Sequence, residues 1–256
     1  MTDIAQKADH LSFDGIAHGF FGRAGGVSPA PFDSLNVSIK QGDSQENVTA
    51  NLTIIADQLG IQPSKFGLLK QVHSINVVQF DGKADWDNRP EADGIVSNVP
   101  GTAIGIQTAD CGPVLFCDPD NKVIGACHAG WKGAVGGIVH RTLDAMEELG
   151  ANRHKIHAVL GPCIHPENYE VGDEFKANVL KDWPELEGHF PYPPGATKPH
   201  FDLPGTIMHQ LESAHLHTAA HLDICTYAKN ETYFSHRKAT HLDTKTGRQL
   251  SAIAIL

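Results

Sequence analysis

The chain has 256 residues and a formal charge of -10, a balance that excludes a broad electrostatic footprint for nucleic acid. No apolar run nears the roughly 20 residues that span a bilayer, and no basic-then-apolar leader opens the sequence, so a cytoplasmic protein without a membrane partner is expected. Five scattered cysteines without a CxxC pair fit a reducing compartment, and the length suits one domain over 1–256 whose core needs no disulfides.

In chain order, Ile16-Ala17-His18-Gly19-Phe20-Phe21 reads as a strand breaking into the turn Arg23-Ala24-Gly25-Gly26-Val27-Ser28. The two glycines there expose backbone N–H groups beside Arg23, a pattern that can cradle an anion. A helix is predicted over 44–59: Asp43 caps it with Glu46 three residues on, Val48, Leu52, Ile55 and Leu59 share a face, and Gly60 stops it. Two strands follow within 66–80, joined at Gln71-Val72-His73-Ser74, which puts His73 at a strand end. A polar loop over 81–90 precedes short strands at 92–97 and 103–107, which lead into Thr108-Ala109-Asp110-Cys111-Gly112-Pro113. Val114-Leu115-Phe116 and Val123-Ile124-Gly125-Ala126 read as core strands, with Cys111 and His128 at their ends.

Beyond them the pattern predicts a helix over 134–149, a strand over 156–160, a helix across Phe175 and Val179, and a proline-rich loop over 190–199. A helix over 206–214 and strands at 219–224, 233–235 and 250–256 complete the reading. The expected class is α+β, a single domain with a mixed β-sheet core flanked by helices.

Burial decides which polar residues need partners. Cys111 and His128 at the ends of apolar strands fit either a metal site or a nucleophile with its base. If the strand ending at His73 lies beside them, two nitrogens and one sulfur converge and leave a fourth zinc position for water or substrate. The plain alternative is one buried cysteine and two satisfied core histidines. His215, His217 and His221 form another group of ligand type, set against a polar helix end and strand edge. His10, His140, His154, His189, His209 and His241 lie in polar surroundings and read as solvated.

Several short motifs occur in one order. They are His18-Gly19-Phe20, Arg23-Ala24-Gly25-Gly26-Val27-Ser28, Ser34-Leu35-Asn36, Gln71-Val72-His73, Thr108-Ala109-Asp110-Cys111, His128-Ala129-Gly130-Trp131 and Gly161-Pro162-Cys163-Ile164. With Tyr169-Glu170-Val171-Gly172, Cys225-Thr226-Tyr227, Phe234-Ser235-His236-Arg237 and Thr246-Gly247-Arg248, they resemble the YfiH-like laccase-domain family over nearly the whole chain. Members have been described as multicopper polyphenol oxidoreductases and are now understood as zinc-dependent purine nucleoside phosphorylases with adenosine deaminase activity. The resemblance implies zinc held by His73, Cys111 and His128, and a fold similar to the cytotoxic necrotising factor type of deamidase. Two positions depart from the usual pattern. Lys132 stands where many relatives carry arginine, which keeps the charge but loses the bidentate fork, and His165 stands where a small residue is more usual.

The activity so implied is phosphorolysis of adenosine, inosine, guanosine or methylthioadenosine, with purine nucleoside and phosphate as the partners. Arg23 with the Gly25-Gly26 backbone, and Arg237, are candidate anion contacts, and Asn36 is a candidate hydrogen-bonding group for ribose or base. Asp110, Cys111 and His128 are the candidate catalytic residues, with Asp110 as the nearest acid or base for deamination or as an orienting group for a histidine. The chain lacks the HxE and PCxxC pair of the usual zinc nucleobase deaminases. The rival is a metal-free cysteine hydrolase with Cys111 as nucleophile and His128 as base. A copper polyphenol oxidase calls for histidines in several paired spacings such as HxH, and only His215 and His217 offer one. A non-catalytic protein with structural zinc would close the fourth position, with Cys127 or Cys163 as the candidate.

Overall fold

Alternate residues of the apolar strands face two different cores, which is why these segments read as continuous hydrophobic runs. The computed structural model describes residues 4–256. Its strands and helices are β1 (Ala5–Gln6), β2 (Ile16–Phe21), α1 (Gln45–Leu59), β3 (Phe66–Leu68), β4 (Val77–Gln79), β5 (Gly94–Ser97), β6 (Thr102–Thr108), β7 (Gly112–Asp118) and β8 (Val123–Ala129). They continue with α2 (Trp131–Gly136), α3 (Ile138–Glu148), β9 (His157–Leu160), α4 (Asp173–Asp182), α5 (Leu203–Ser213), β10 (Thr218–His221), α6 (His236–His241) and β11 (Gln249–Ile255).

The expected mixed sheet is present as a pair. One sheet has the order β1-β2-β11-β6-β3, with only β3 parallel to its neighbour; the other has the order β10-β9-β7-β8-β5-β4, parallel at both edges. Ile253 and Ile255 of the first sheet meet Leu115, Ile124 and Val159 of the second in a central core. Leu250, Ala252 and Ala254 face outward onto Leu52, Ile55 and Leu59 of α1, while Val114, Phe116 and Ala129 face Ile138, Leu143, Met146 and Ile207 of α3 and α5. Helix, sheet, sheet, helix is therefore the layer order, and truncating a side chain as enclosed as Phe116 to alanine should cost about 3–5 kcal/mol. No helix among the described residues is long and apolar enough to cross a membrane.

Several local readings change. Helix α1 buries the expected face, but Ser44 caps it by accepting from the Asn47 amide. Asp43 instead ties Ser28, Asn36 and Asn47 together with its two oxygens. The helix expected over 134–149 is two, because Gly137 adopts φ 88° and breaks the run between α2 and α3. Residues 233–235 form no strand: Phe234 donates its amide to the Gln249 side chain and Ser235 caps α6, which the apolar pattern did not announce.

Candidate active site

The β7–β8 register sets the site. Pro113 pairs with His128 and Gly112 with Ala129, so Cys111, one residue before β7, lies beside the end of β8. His73 reaches them from the loop between β3 and β4, in a left-handed conformation with φ 61°. One nitrogen of each histidine and the Cys111 sulfur lie within 4.8 Å of one another. The two imidazoles meet edge to face with centroids 4.8 Å apart.

Asp93, fully buried at the entry to β5, organises this cluster. Its carboxylate accepts hydrogen bonds from the backbone amides of Val72, His73 and Ser74 at 3.2, 3.1 and 2.6 Å, and from the Ser74 hydroxyl at 2.8 Å. The same carboxylate lies 2.7 Å from Nδ1 of His128, which leaves Nε2 for the cluster. Burial opposes its charge, yet these donors and His128 hold its carboxyl far below the usual carboxylate range. Gly130 is required for space: a Cβ there would sit 2.9 Å from His73 Cδ2 and 3.1 Å from Cys111 Sγ.

Electrostatics favour an anionic sulfur. Burial opposes the Cys111 thiolate, but the charge and hydrogen bonding of His128, and then of His73, bring the thiol down to about 6. Burial opposes the His128 imidazolium, but Cys111 and Asp93 push its pKa up. An N, N, S donor set with a carboxylate behind one histidine matches what a borderline-soft ion such as zinc takes. The residues fit a metal on this chemistry.

Two of the three cluster residues, His73 and Cys111, open onto a cavity of about 380 Å³, within the range of roughly 300–1,000 Å³ common for small-molecule sites. Trp131, Lys132, Tyr169, His236, Arg237 and Asp110 also line it. Trp131 is braced by Phe175 with ring centroids 4.9 Å apart, and the Lys132 ammonium lies 5.6 Å above the indole. The Arg237 guanidinium stacks 5.1 Å from the centre of the Tyr169 ring and donates to the Glu170 carbonyl at 2.8 Å. Asp110, at φ 87°, accepts from the Thr226 hydroxyl at 2.7 Å and from the Arg237 backbone amide at 2.6 Å. Both its oxygens are thus engaged in holding the cavity wall.

Arg23 and Asn36 are not brought to this cavity. Arg23 donates to the carbonyls of Asp33 and Asn230, lies over the Phe234 ring, and lines a separate depression that shares no residue with the first. The Gly26 amide is taken by the Ser34 hydroxyl. Asn36 is fully buried; its amide donates to Ser38 and Asp43 and its oxygen accepts from the backbone of Ser38 and Arg248. Cys127 points into the core with a thiol pushed up to about 12 by burial, and Cys163 joins His165 and His221 in a different group, so neither closes the Cys111 cluster. His217 packs on His157, while His221 groups with Cys163 and His165, a group that includes neither His215 nor His217.

The family described as multi-copper polyphenol oxidoreductase laccase matches residues 17–256. The chain belongs to that family. A purine nucleoside phosphorylase of Deinococcus radiodurans is 41% identical over 204 residues, which cover 78% of this chain and 75% of the relative. A purine nucleoside phosphorylase of Streptomyces coelicolor is 36% identical, covering 92% of this chain and 93% of the relative. The crystal structure of a Neisseria meningitidis protein superposes with a TM-score of 0.86 at 30% identity, covering 99% of both chains.

Within this laccase-domain family member, Asp93 and Arg248 escaped the sequence reading, and the cavity-lining Trp131, Tyr169 and His236 appeared there only inside motifs. Asp93 carried one signal, an acidic residue wedged between a polar loop and an apolar strand, where a buried carboxylate needs donors. Arg248 was visible only as part of Thr246-Gly247-Arg248. Burial pushes its pKa down while Cys111 and Asp110 pull it up, which puts a cation within electrostatic reach of the cluster.

Proposed function

We propose that this chain is a zinc-dependent purine nucleoside phosphorylase that converts adenosine, inosine, guanosine or methylthioadenosine with phosphate into the free base and the sugar 1-phosphate. The observation that carries the reading is the open His73, Cys111 and His128 cluster on the wall of a nucleoside-sized cavity that also presents Lys132 and Arg237. The names of the relatives support the same reaction.

Breaking a glycosidic bond builds positive charge on the sugar and negative charge on the departing purine. When bound, zinc supplies a fixed positive charge for an electron-rich atom at the reacting centre. His73, Cys111 and His128 hold it, and Asp93 fixes the His128 tautomer that leaves Nε2 unprotonated. The flat faces of Trp131 and Tyr169 suit a purine ring, and Lys132 and Arg237 suit phosphate oxygens. Asp110 acts as a positioning residue, since its two hydrogen bonds fasten Thr226 and the start of α6. Adenosine deamination belongs to the same pocket as a second activity, with His236, which lines the cavity, as the group that moves protons.

The experiment is metal analysis of the purified protein followed by incubation with adenosine or inosine, with and without phosphate, measuring free base and ammonia. Base release that depends on phosphate supports phosphorolysis, and ammonia release supports deamination. A second reading rests on the depressed Cys111 thiol beside His128, the pairing of a cysteine hydrolase. It prevails if zinc-loaded protein releases neither product while metal-free protein has an amidase activity that alkylation of Cys111 abolishes.

A further inference from the structure

A second group of soft ligands includes Cys163 and His165, which flank the cavity-lining Ile164 in the loop after β9. The Cys163 sulfur and one nitrogen each of His165 and His221 fall within 4.8 Å of one another. Nε2 of His165 and Nε2 of His221 are both shut off from solvent without a hydrogen-bond partner. Buried polar atoms are nearly always paired, so two orphaned imidazole nitrogens beside a fully buried thiol mark a place where something accepts their lone pairs.

The backbone around this group is already fixed. β9 and β10 run parallel with His221 in register with Leu160, and beyond them the Cys163 amide donates to Ile224 while Thr226 donates back to the Cys163 carbonyl. The two imidazole rings face each other with centroids 5.5 Å apart. Asp223 Oδ1 lies 4.0 Å from Nδ1 of His165, too far for a hydrogen bond, so the candidate site rests on the Nε2 atoms and the thiol. Cys225 is occupied elsewhere, its sulfur accepting from the His165 amide and the Asn168 side chain.

We propose that Cys163, His165 and His221 form a second metal site for a transition ion that prefers thiolate and imidazole, of which zinc is the representative. It shares no ligand with the Cys111 cluster. Binding sends the Cys163 thiol proton to solvent and places the metal on the thiolate and the two Nε2 atoms. The site clasps the loop after β9 to the end of β10, and the Ile164 amide passes that constraint to the Asp110 carbonyl at 2.9 Å, next to Cys111.

The test is zinc stoichiometry of the full chain, with Cys111→Ser used to remove the first cluster. Cys111→Ser should retain one zinc per chain, and adding either His165→Gln or His221→Gln, both half-buried positions expected to fold, should leave none. Cobalt loaded into Cys111→Ser should show a thiolate charge-transfer band that Cys163→Ala removes, and zinc should raise the melting midpoint of Cys111→Ser but not of the double variants. The proposal is overturned if Cys111→Ser binds no zinc, or binds one that survives both histidine substitutions. Because the second site is read in a background without the first, its failure is distinct from failure of the phosphorylase reading.

Discussion

Asp93→Asn should invert a tautomer and thereby weaken the proposed metal site with little change of shape. The carboxylate receives five hydrogen bonds, Oδ1 from the His73 amide and His128, Oδ2 from the Val72 and Ser74 amides and the Ser74 hydroxyl. An asparagine NH2 at the Oδ2 position would face two backbone donors, whereas at the Oδ1 position it faces one. The amide therefore turns its NH2 toward His73 and His128. His128 Nδ1 must then accept, the ring proton moves to Nε2, and the nitrogen that faced the cluster loses its free lone pair.

Losing such a carboxylate behind a ligating histidine lowers metal affinity by about 10–100-fold, close to 1.4–2.8 kcal/mol. The one stranded backbone donor costs about 1–3 kcal/mol of stability, a drop in melting midpoint of roughly 2–12 °C for a chain of this size. Zinc affinity would be measured against a competing chelator well below the lowered midpoint. A folded Asp93→Asn protein that binds zinc as tightly as the wild type would refute the tautomer argument. An unchanged melting midpoint would refute the hydrogen-bond accounting.

Four further outcomes follow from other residues. His73→Ala should fold normally, since His73 is exposed, yet lose zinc from the Cys111 cluster and lower phosphorolysis kcat/KM by about 100-fold or more, as measured by base release. Gly130→Ala places a methyl against His73 and Cys111 and should weaken zinc binding by at least about tenfold at nearly unchanged helicity by circular dichroism, the backbone there being compatible with alanine. Arg237→Ala should raise KM for phosphate by about 10–100-fold with a smaller effect on kcat, and Arg237→Lys should recover part of it, in steady-state assays that vary phosphate. Asp118 is fully buried; burial opposes its charge, but Asn121, Asn152 and Asp120 donate to it and lower its pKa. Its stabilisation is complete above the unfolded carboxylate value of about 3.9 and fades as pH falls through the lower folded one, so urea midpoints of Asp118→Asn should fall less steeply below pH 4 than those of wild type.

Legibility tracked the range of the interaction. Helix α1 showed its buried face because Val48, Leu52, Ile55 and Leu59 repeat within one element, and Cys111 and His128 stood out because each ends an apolar strand. The pairing of two sheets was hidden, since strands buried on both faces carry no alternation to say which neighbour they join. Arg23 and Asn36 carried motif signals, but their hydrogen bonds run to Asn230 and Arg248, contacts between residues far apart in sequence that no local pattern reports.

Backbone conformation explains why the cluster could be only half seen. His73 and Asp110 both adopt left-handed φ values, 61° and 87°, a conformation that costs most side chains about 1–2 kcal/mol and that glycine would adopt more readily. Neither is glycine, because each also supplies chemistry: an imidazole to the cluster, and a carboxylate that fastens Thr226 and Arg237. The surroundings hold both in place. Asp93 binds the amides on either side of His73 as well as its own, and Ile164 donates to the Asp110 carbonyl. Residue preference alone points to turns at these positions, and the strain is tolerated only because a buried carboxylate 20 residues away and a loop 54 residues away close around them. Asp110→Gly should therefore relieve the backbone and still lose substrate affinity, since the freed Arg237 amide and Thr226 hydroxyl no longer fix the cavity wall. A variant that kept wild-type KM would show that the strained aspartate serves the fold alone.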